Sequence, residues 1–257
     1  MKYLLTIAFD GRAYCGYQVQ KNGISVQETL GRAAEGVFHC ACSVTGCSRT
    51  DSGVHAKDFK ATLDVPSEAP QIPPERTVMA LNALLPSDIA VLDAIEVEDS
   101  FHARYAVTEK EYRYTVWNSR VRNPFLFGYA YHVPTRLDVD KMQEAAKAFL
   151  GTHDFASFMA AGSKVSDTVR TLYDLRVWRE GDTVTFSVTG DGFLYHMVRI
   201  LVGTLIAVSE GRLSKSDIPV ILEKKDRTQA GPTAPACGLC LYRVSYDKRE
   251  GGKETHV

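Results

Sequence analysis

The chain has 257 residues, 45% of them apolar and 24% charged, with a formal net charge of −1. That length holds one large or two smaller domains with a core that needs no disulfide or metal. The balance excludes a disordered or collagen-like polymer, and it leaves a nucleic-acid role only if basic residues gather on one face. Met1-Lys2 leads into an alternating stretch and not a signal peptide. The longest apolar run, near Ile200 to Val208, is interrupted by Gly203 and Thr204 and is too short to span a bilayer. A cytoplasmic protein, with no membrane partner, is expected.

Lys2 to Phe9 reads as a strand closed by Asp10-Gly11. Tyr14 to Gln20 mixes polar and aromatic residues in a way unusual for a connector. Ser25 and Glu28 form a capping box before Val26, Leu30, Ala33, Ala34 and Val37, which recur at helical spacing. A short strand then leads to the loop Thr45–Ala56. Phe59 to Val65 is strand-like, Pro73-Pro74 opens a helix that Pro86 stops, and Ile89 to Val97 is a further strand.

In the second half, Tyr112 to Trp117 alternates cleanly. A strand near Tyr129 to Val133 and a helix from Asp140 to Leu150 follow. Strands at Arg170–Trp178 and Thr183–Thr189 flank Glu180-Gly181-Asp182. Gly192 to Val208 reads as one buried helix, and Leu239 to Tyr246 as the last strand. From Asp247 the tail is polar and expected to fray. The order has no βαβ period and no glycine-rich nucleotide fingerprint. The expected fold class is α+β: two similar α/β halves sharing one mainly antiparallel central sheet, with helices packed on it and the active-site cleft between them. The halves are residues 1–106 and 107–257.

Four features bear on chemistry. The loop Ser48-Arg49-Thr50-Asp51-Ser52-Gly53 holds a carboxylate among common turn formers, so it is either a surface turn or a reactive loop. Arg199 sits in a stretch that should be buried, where a guanidinium needs a carboxylate partner, either a structural acid or Asp51 itself. Tyr112 is either core or a stacking platform for a base. From His102 to Arg122 five Lys/Arg (104, 110, 113, 120, 122) stand against two acids, a formal +3 that can present a phosphate-binding face. The six cysteines, at 15, 40, 42, 47, 237 and 240, include one CxxC, Cys237 to Cys240. Cys240 lies in an alternating apolar stretch and no second clean pair exists, so no metal is expected.

The run Ser48-Arg-Thr-Asp-Ser-Gly-Val-His-Ala56 closely resembles the catalytic motif of the tRNA pseudouridine synthase family called TruA. Similar blocks recur in family order at Phe9-Asp-Gly11 with Gly16–Gln20, Leu81–Pro86, Phe101–Arg104, Glu111–Tyr114, Gly151–Phe155, Gly192–Arg199 and Gly238–Leu241. They cover nearly the whole chain. Ser48 departs from the pattern, standing where glycine is common.

The resemblance implies isomerisation of uridine to pseudouridine at positions 38, 39 and 40 of the tRNA anticodon stem-loop, without cofactor or metal. It implies that Asp51 is the catalytic aspartate and that Tyr112 packs on the target base. Arg49 would lie near the flipped nucleotide, Arg199 would pair with the carboxylate, and the enzyme would be a homodimer with tRNA across both subunits. A carboxylate suits the chemistry, whether it attacks C1′ of the ribose, attacks C6 of the base or removes a proton on a glycal route. The alternative is a non-catalytic RNA-binding module using the same surfaces.

Overall fold

The structure is a computed structural model that describes residues 1–163 and 165–246. The tail expected to fray from Asp247 lies outside them. The elements are β1 (Lys2–Phe9), α1 (Val26–Phe38), β2 (Ser43–Gly46), β3 (His55–Asp64), α2 (Pro74–Leu84), β4 (Ile89–Glu96), β5 (Glu109–Trp117), β6 (Tyr131–His132), α3 (Val139–Ala146), β7 (Gly151–Asp154), β8 (Val169–Glu180), β9 (Thr183–Gly190), α4 (Met197–Ser209), α5 (Asp217–Lys224) and β10 (Leu239–Ser245). All ten strands form one mixed sheet in the order β4-β1-β3-β10-β5-β9-β8-β7, with β2 added to β3 and β6 to β5. Most pairings are antiparallel. β3–β10 and β5–β6 run parallel. No helix among the described residues is long and apolar enough to cross a membrane.

Local chemistry explains most boundaries. Ser25 Oγ accepts from Glu28 N at 3.1 Å, as the capping box requires. The reciprocal half is absent, because the Glu28 carboxylate turns to Arg32 at 2.6 Å. The buried stripe of α1 is Val26, Leu30, Ala33, Ala34 and Phe38, with Val37 only half-buried. In α2, Thr77 and Leu81 face inward and Met79 is exposed.

Two expected helices are shorter than their sequence pattern. The stretch 140–150 divides into α3 and a 3-10 turn at Lys147–Phe149. The run from Gly192 does not become helical until Met197, because His196 adopts a left-handed conformation (φ 60°). Phe193 to His196 therefore forms a loop before α4. The expected strand at 129–133 contracts to Tyr131–His132, whereas β3 begins four residues earlier than its apolar pattern.

β5 occupies the middle of the sheet between β10 and β9. Its alternation places Tyr112, Tyr114 and Val116 in the core, towards α4. Glu111 and Arg113 lie on the other face, paired with each other at 2.7 Å, and the Arg113 guanidinium stacks 3.5 Å over the Tyr242 ring. The five basic residues of 102–122 consequently do not form a single patch, since Lys110 and Arg113 stand on opposite faces.

Candidate active site

The loop between β2 and β3 carries Asp51. The Tyr14–Gln20 segment is its cradle. Tyr17 N donates to Thr50 O at 3.3 Å, and Ser52 Oγ donates to Tyr14 O at 3.1 Å. Gly16 has φ +105°, and a Cβ there would lie 2.5 Å from Thr50 O. A Cβ at Gly11 would lie 2.0 Å from Val54 O. Only glycine permits so close a backbone approach. The aromatic character of the segment has a separate use, because Tyr17 stacks on Phe59 at 4.2 Å and anchors the cradle in the core.

Arg199 reaches this loop from the first turn of α4. Its Nη1 lies 3.1 Å from Asp51 Oδ2, and its Nε donates to Ala234 O at 2.7 Å. Ala234 N in turn donates to Arg199 O at 3.1 Å. The 231–234 segment can lie this close because α4 presents Gly203 and Thr204 to it. A Cβ at Gly203 would fall 1.8 Å from Pro232 O, and Thr204 Oγ1 accepts from Gly231 N at 2.9 Å. The residues that interrupt the apolar run thus make the bed on which Arg199 is held.

His196 was not singled out by the sequence. Its Nε2 lies 3.4 Å from Asp51 Oδ2, and its ring packs on Tyr195 with centroids 3.9 Å apart. Burial holds its imidazole below the usual histidine range. Arg199 and Arg227 act in the same direction, and Asp51 opposes them. His196 is therefore neutral near pH 7. No local signal marks it, because the apolar pattern runs through the position without a break.

Tyr112 forms the neighbouring wall. It is 5% exposed, its hydroxyl lies 3.2 Å from Ser48 Oγ, and Phe193 meets its ring edge-on at 5.2 Å. Burial raises its pKa far above physiological pH, so it acts as a neutral phenol. Ser48, the departure from the motif, is thus used to fix the tyrosine. Arg49 is exposed beside them.

Cys40 and Cys42 are neighbours, with Cys42 Sγ 3.6 Å from Cys40 O. Cys47 is fully buried and its thiol is pushed up to about 11 by burial. Cys237 Sγ faces Ala130 O at 3.7 Å. Cys240 lines a cavity of about 440 Å³, with Ala8, His55 and Thr115, on the sheet face away from Tyr112. Among the described residues no three His, Cys, Asp or Glu side chains converge as a metal site would require.

A family model described as tRNA pseudouridine synthase matches residues 145–247, the part containing Arg199. Similarity to whole proteins extends across the Asp51 loop as well. The chain is 45% identical to tRNA pseudouridine synthase A of Clostridium acetobutylicum, over 94% of this chain and 98% of that one. Against the protein of the same name from Anoxybacillus flavithermus the identity is 47%, over 94% and 97%. Against that of Bacillus subtilis it is 46%, over 96% and 100%. Identity at this level over essentially the full length places the chain in the tRNA pseudouridine synthase A family.

Proposed function

We propose that this chain isomerises uridine to pseudouridine in tRNA, at positions 38, 39 and 40 of the anticodon stem-loop, with Asp51 as the essential carboxylate and no cofactor. The observation that carries the reading is the Asp51 carboxylate, one-fifth exposed, tied at Oδ2 to the guanidinium of Arg199 beside the buried ring of Tyr112. Family membership supports the reaction class.

The reaction breaks the bond from N1 to C1′, turns the uracil and forms a bond from C5 to C1′. The C5 proton leaves and N1 gains one, so the net change is an isomerisation. Extruding the uridine from its stack costs a few kcal/mol, and packing on an aromatic ring returns about 1–3 kcal/mol. In this reading Tyr112 supplies that ring. Asp51 either attacks covalently or abstracts a proton, and the guanidinium of Arg199 at Oδ2 holds the carboxylate in place for either role. Arg49, exposed next to Asp51, would meet the extruded nucleotide. The enzyme would work in the cytoplasm as a homodimer, with the tRNA lying across both subunits.

Release of tritium from 5-tritiated uridine in tRNA tests the proposal. Wild type should release it, and Asp51→Asn should fold and bind tRNA without releasing any. Full release by the variant would remove Asp51 from the chemistry. tRNA binding by wild type with no release would leave an RNA-binding module.

A further inference from the structure

Lys110 lies on β5 two residues before Tyr112 and on the same face. It is only partly exposed. Its neighbours Glu109 and Glu111 turn away and meet Arg243 at 3.3 Å and Arg113 at 2.7 Å. Opposite Lys110 on β9 stands Gly190, which has no side chain to cover it. A Cβ at Gly190 would lie 3.5 Å from Phe193, the residue whose ring meets Tyr112. Lys110 therefore borders the same wall as Tyr112.

The surroundings of Lys110 are cationic. Burial is the main cause that disfavours its charge, and Arg104 and Arg170 add to it. Cys47 acts the other way, but its buried thiol is neutral at physiological pH. The Nε of Arg170 lies 3.5 Å from where a Cβ of Gly192 would be, one residue before Phe193. Among the described residues, Lys110, Arg104 and Arg170 make no salt bridge with any carboxylate. A partly buried cation without an anion is unfavourable, and two more cations beside it make it worse. Among the described residues no carboxylate offsets that cost, so an anion from outside is the natural counterpart.

We infer that Lys110, with Arg170 and Arg104 at its side, is a phosphate subsite that grips the RNA backbone next to the nucleotide whose base packs on Tyr112. The inference rests on the proposed RNA substrate and adds a contact that holds the backbone while the base is turned. A phosphate contact of this kind is independent of base sequence.

Lys110→Met keeps the length of the side chain and removes the charge. Three measurements decide the matter. The thermal midpoint of the free variant should equal or exceed that of wild type, because an unpaired charge has left a partly buried position. Its Kd for unmodified tRNA should be weaker at low salt, with a slope of log K against log salt that is smaller by about 0.9. Lys110→Arg, which keeps the charge, should retain the wild-type slope. An unchanged slope in Lys110→Met overturns the inference, as does a midpoint several degrees lower or failure to fold, since either would make Lys110 structural. The readout does not depend on turnover. A wild type that releases no tritium but loses its salt slope on substitution refutes the proposed function alone. An active wild type with an unaltered slope in the variant refutes the phosphate subsite alone.

Discussion

Arg199 Nη1 and Asp51 Oδ2 lie 3.1 Å apart although 148 residues separate them. The guanidinium is also bound through Nε to the Ala234 carbonyl, so it is fixed before it meets the carboxylate. Within the site Asp51 has two cationic or polar neighbours, Arg199 and His196, and both address Oδ2. Among the described residues no side chain donates to Oδ1.

Arg199→Leu should cost more turnover than stability. Loss of the donor to Ala234 O costs about 1–3 kcal/mol, whereas a misplaced carboxylate lowers turnover by about 10²-fold. Urea unfolding alongside single-turnover tritium release makes the comparison. A variant that unfolds while Asp51→Asn remains folded would make Arg199 a structural residue. Arg199→Lys should recover only part of the activity, because an ammonium cannot serve Ala234 and Asp51 in the fixed geometry of the guanidinium fork.

Gly203→Ala should damage the site from a distance. Its Cβ would fall 1.8 Å from Pro232 O, so α4 and the 231–234 segment must separate. Overpacking of this kind costs about 1–3 kcal/mol. The displaced segment includes Ala234, the anchor of Arg199, so turnover should fall even well below the melting temperature. Urea midpoints and tritium release at about 25 °C measure the two effects separately. Normal turnover in a destabilised variant would show that the bed and the site are independent.

His196 should make the protein sensitive to mild acid. Its folded pKa is depressed, so below the ordinary histidine value of about 6.5 the unfolded chain binds the proton more readily than the folded one. The stability it contributes is present above that value and is lost as pH falls through it. The groups facing the ring are Asp51, Arg199, Arg227 and Tyr195. Once protonated, the ring would pair with Asp51 and draw the carboxylate away from Arg199. His196→Gln should lose less stability than wild type between about pH 7.5 and 5.5 and should keep more of its turnover at the lower value. Identical pH profiles for the two proteins would contradict this account.

Much of this was legible in the chain. The period-2 alternation of Tyr112 to Trp117 gave the faces of β5 directly, and Ser25 marked the start of α1 through its own hydrogen bond. Both signals are local. The start of α4 was not legible, since His196 turns the chain by a left-handed residue and no Ser, Thr, Asp or Asn cap precedes Met197. The apolar pattern runs through the boundary unbroken, and this hid His196 within a supposed helix. The role of Tyr14–Gln20 was equally hidden, because a cradle is defined by the loop it receives. The basic excess of 102–122 was real as composition, but alternation along β5 divided it, placing Lys110 on the face of Tyr112 and Arg113 on the other.

β10 lies between β3 and β5, and its parallel pairing with β3 is confined to Cys240 opposite His55 and Leu241 opposite Ala56. A strand drawn from residues 239–245 is thus the bridge between the strand that follows the Asp51 loop and the strand that carries Tyr112. During synthesis these two strands emerge long before their connector. The sheet can close between β3 and β5 only once β10 has been made. Such non-local closure slows folding, and it makes the placing of Asp51 beside Tyr112 depend on a strand distant from both in the chain.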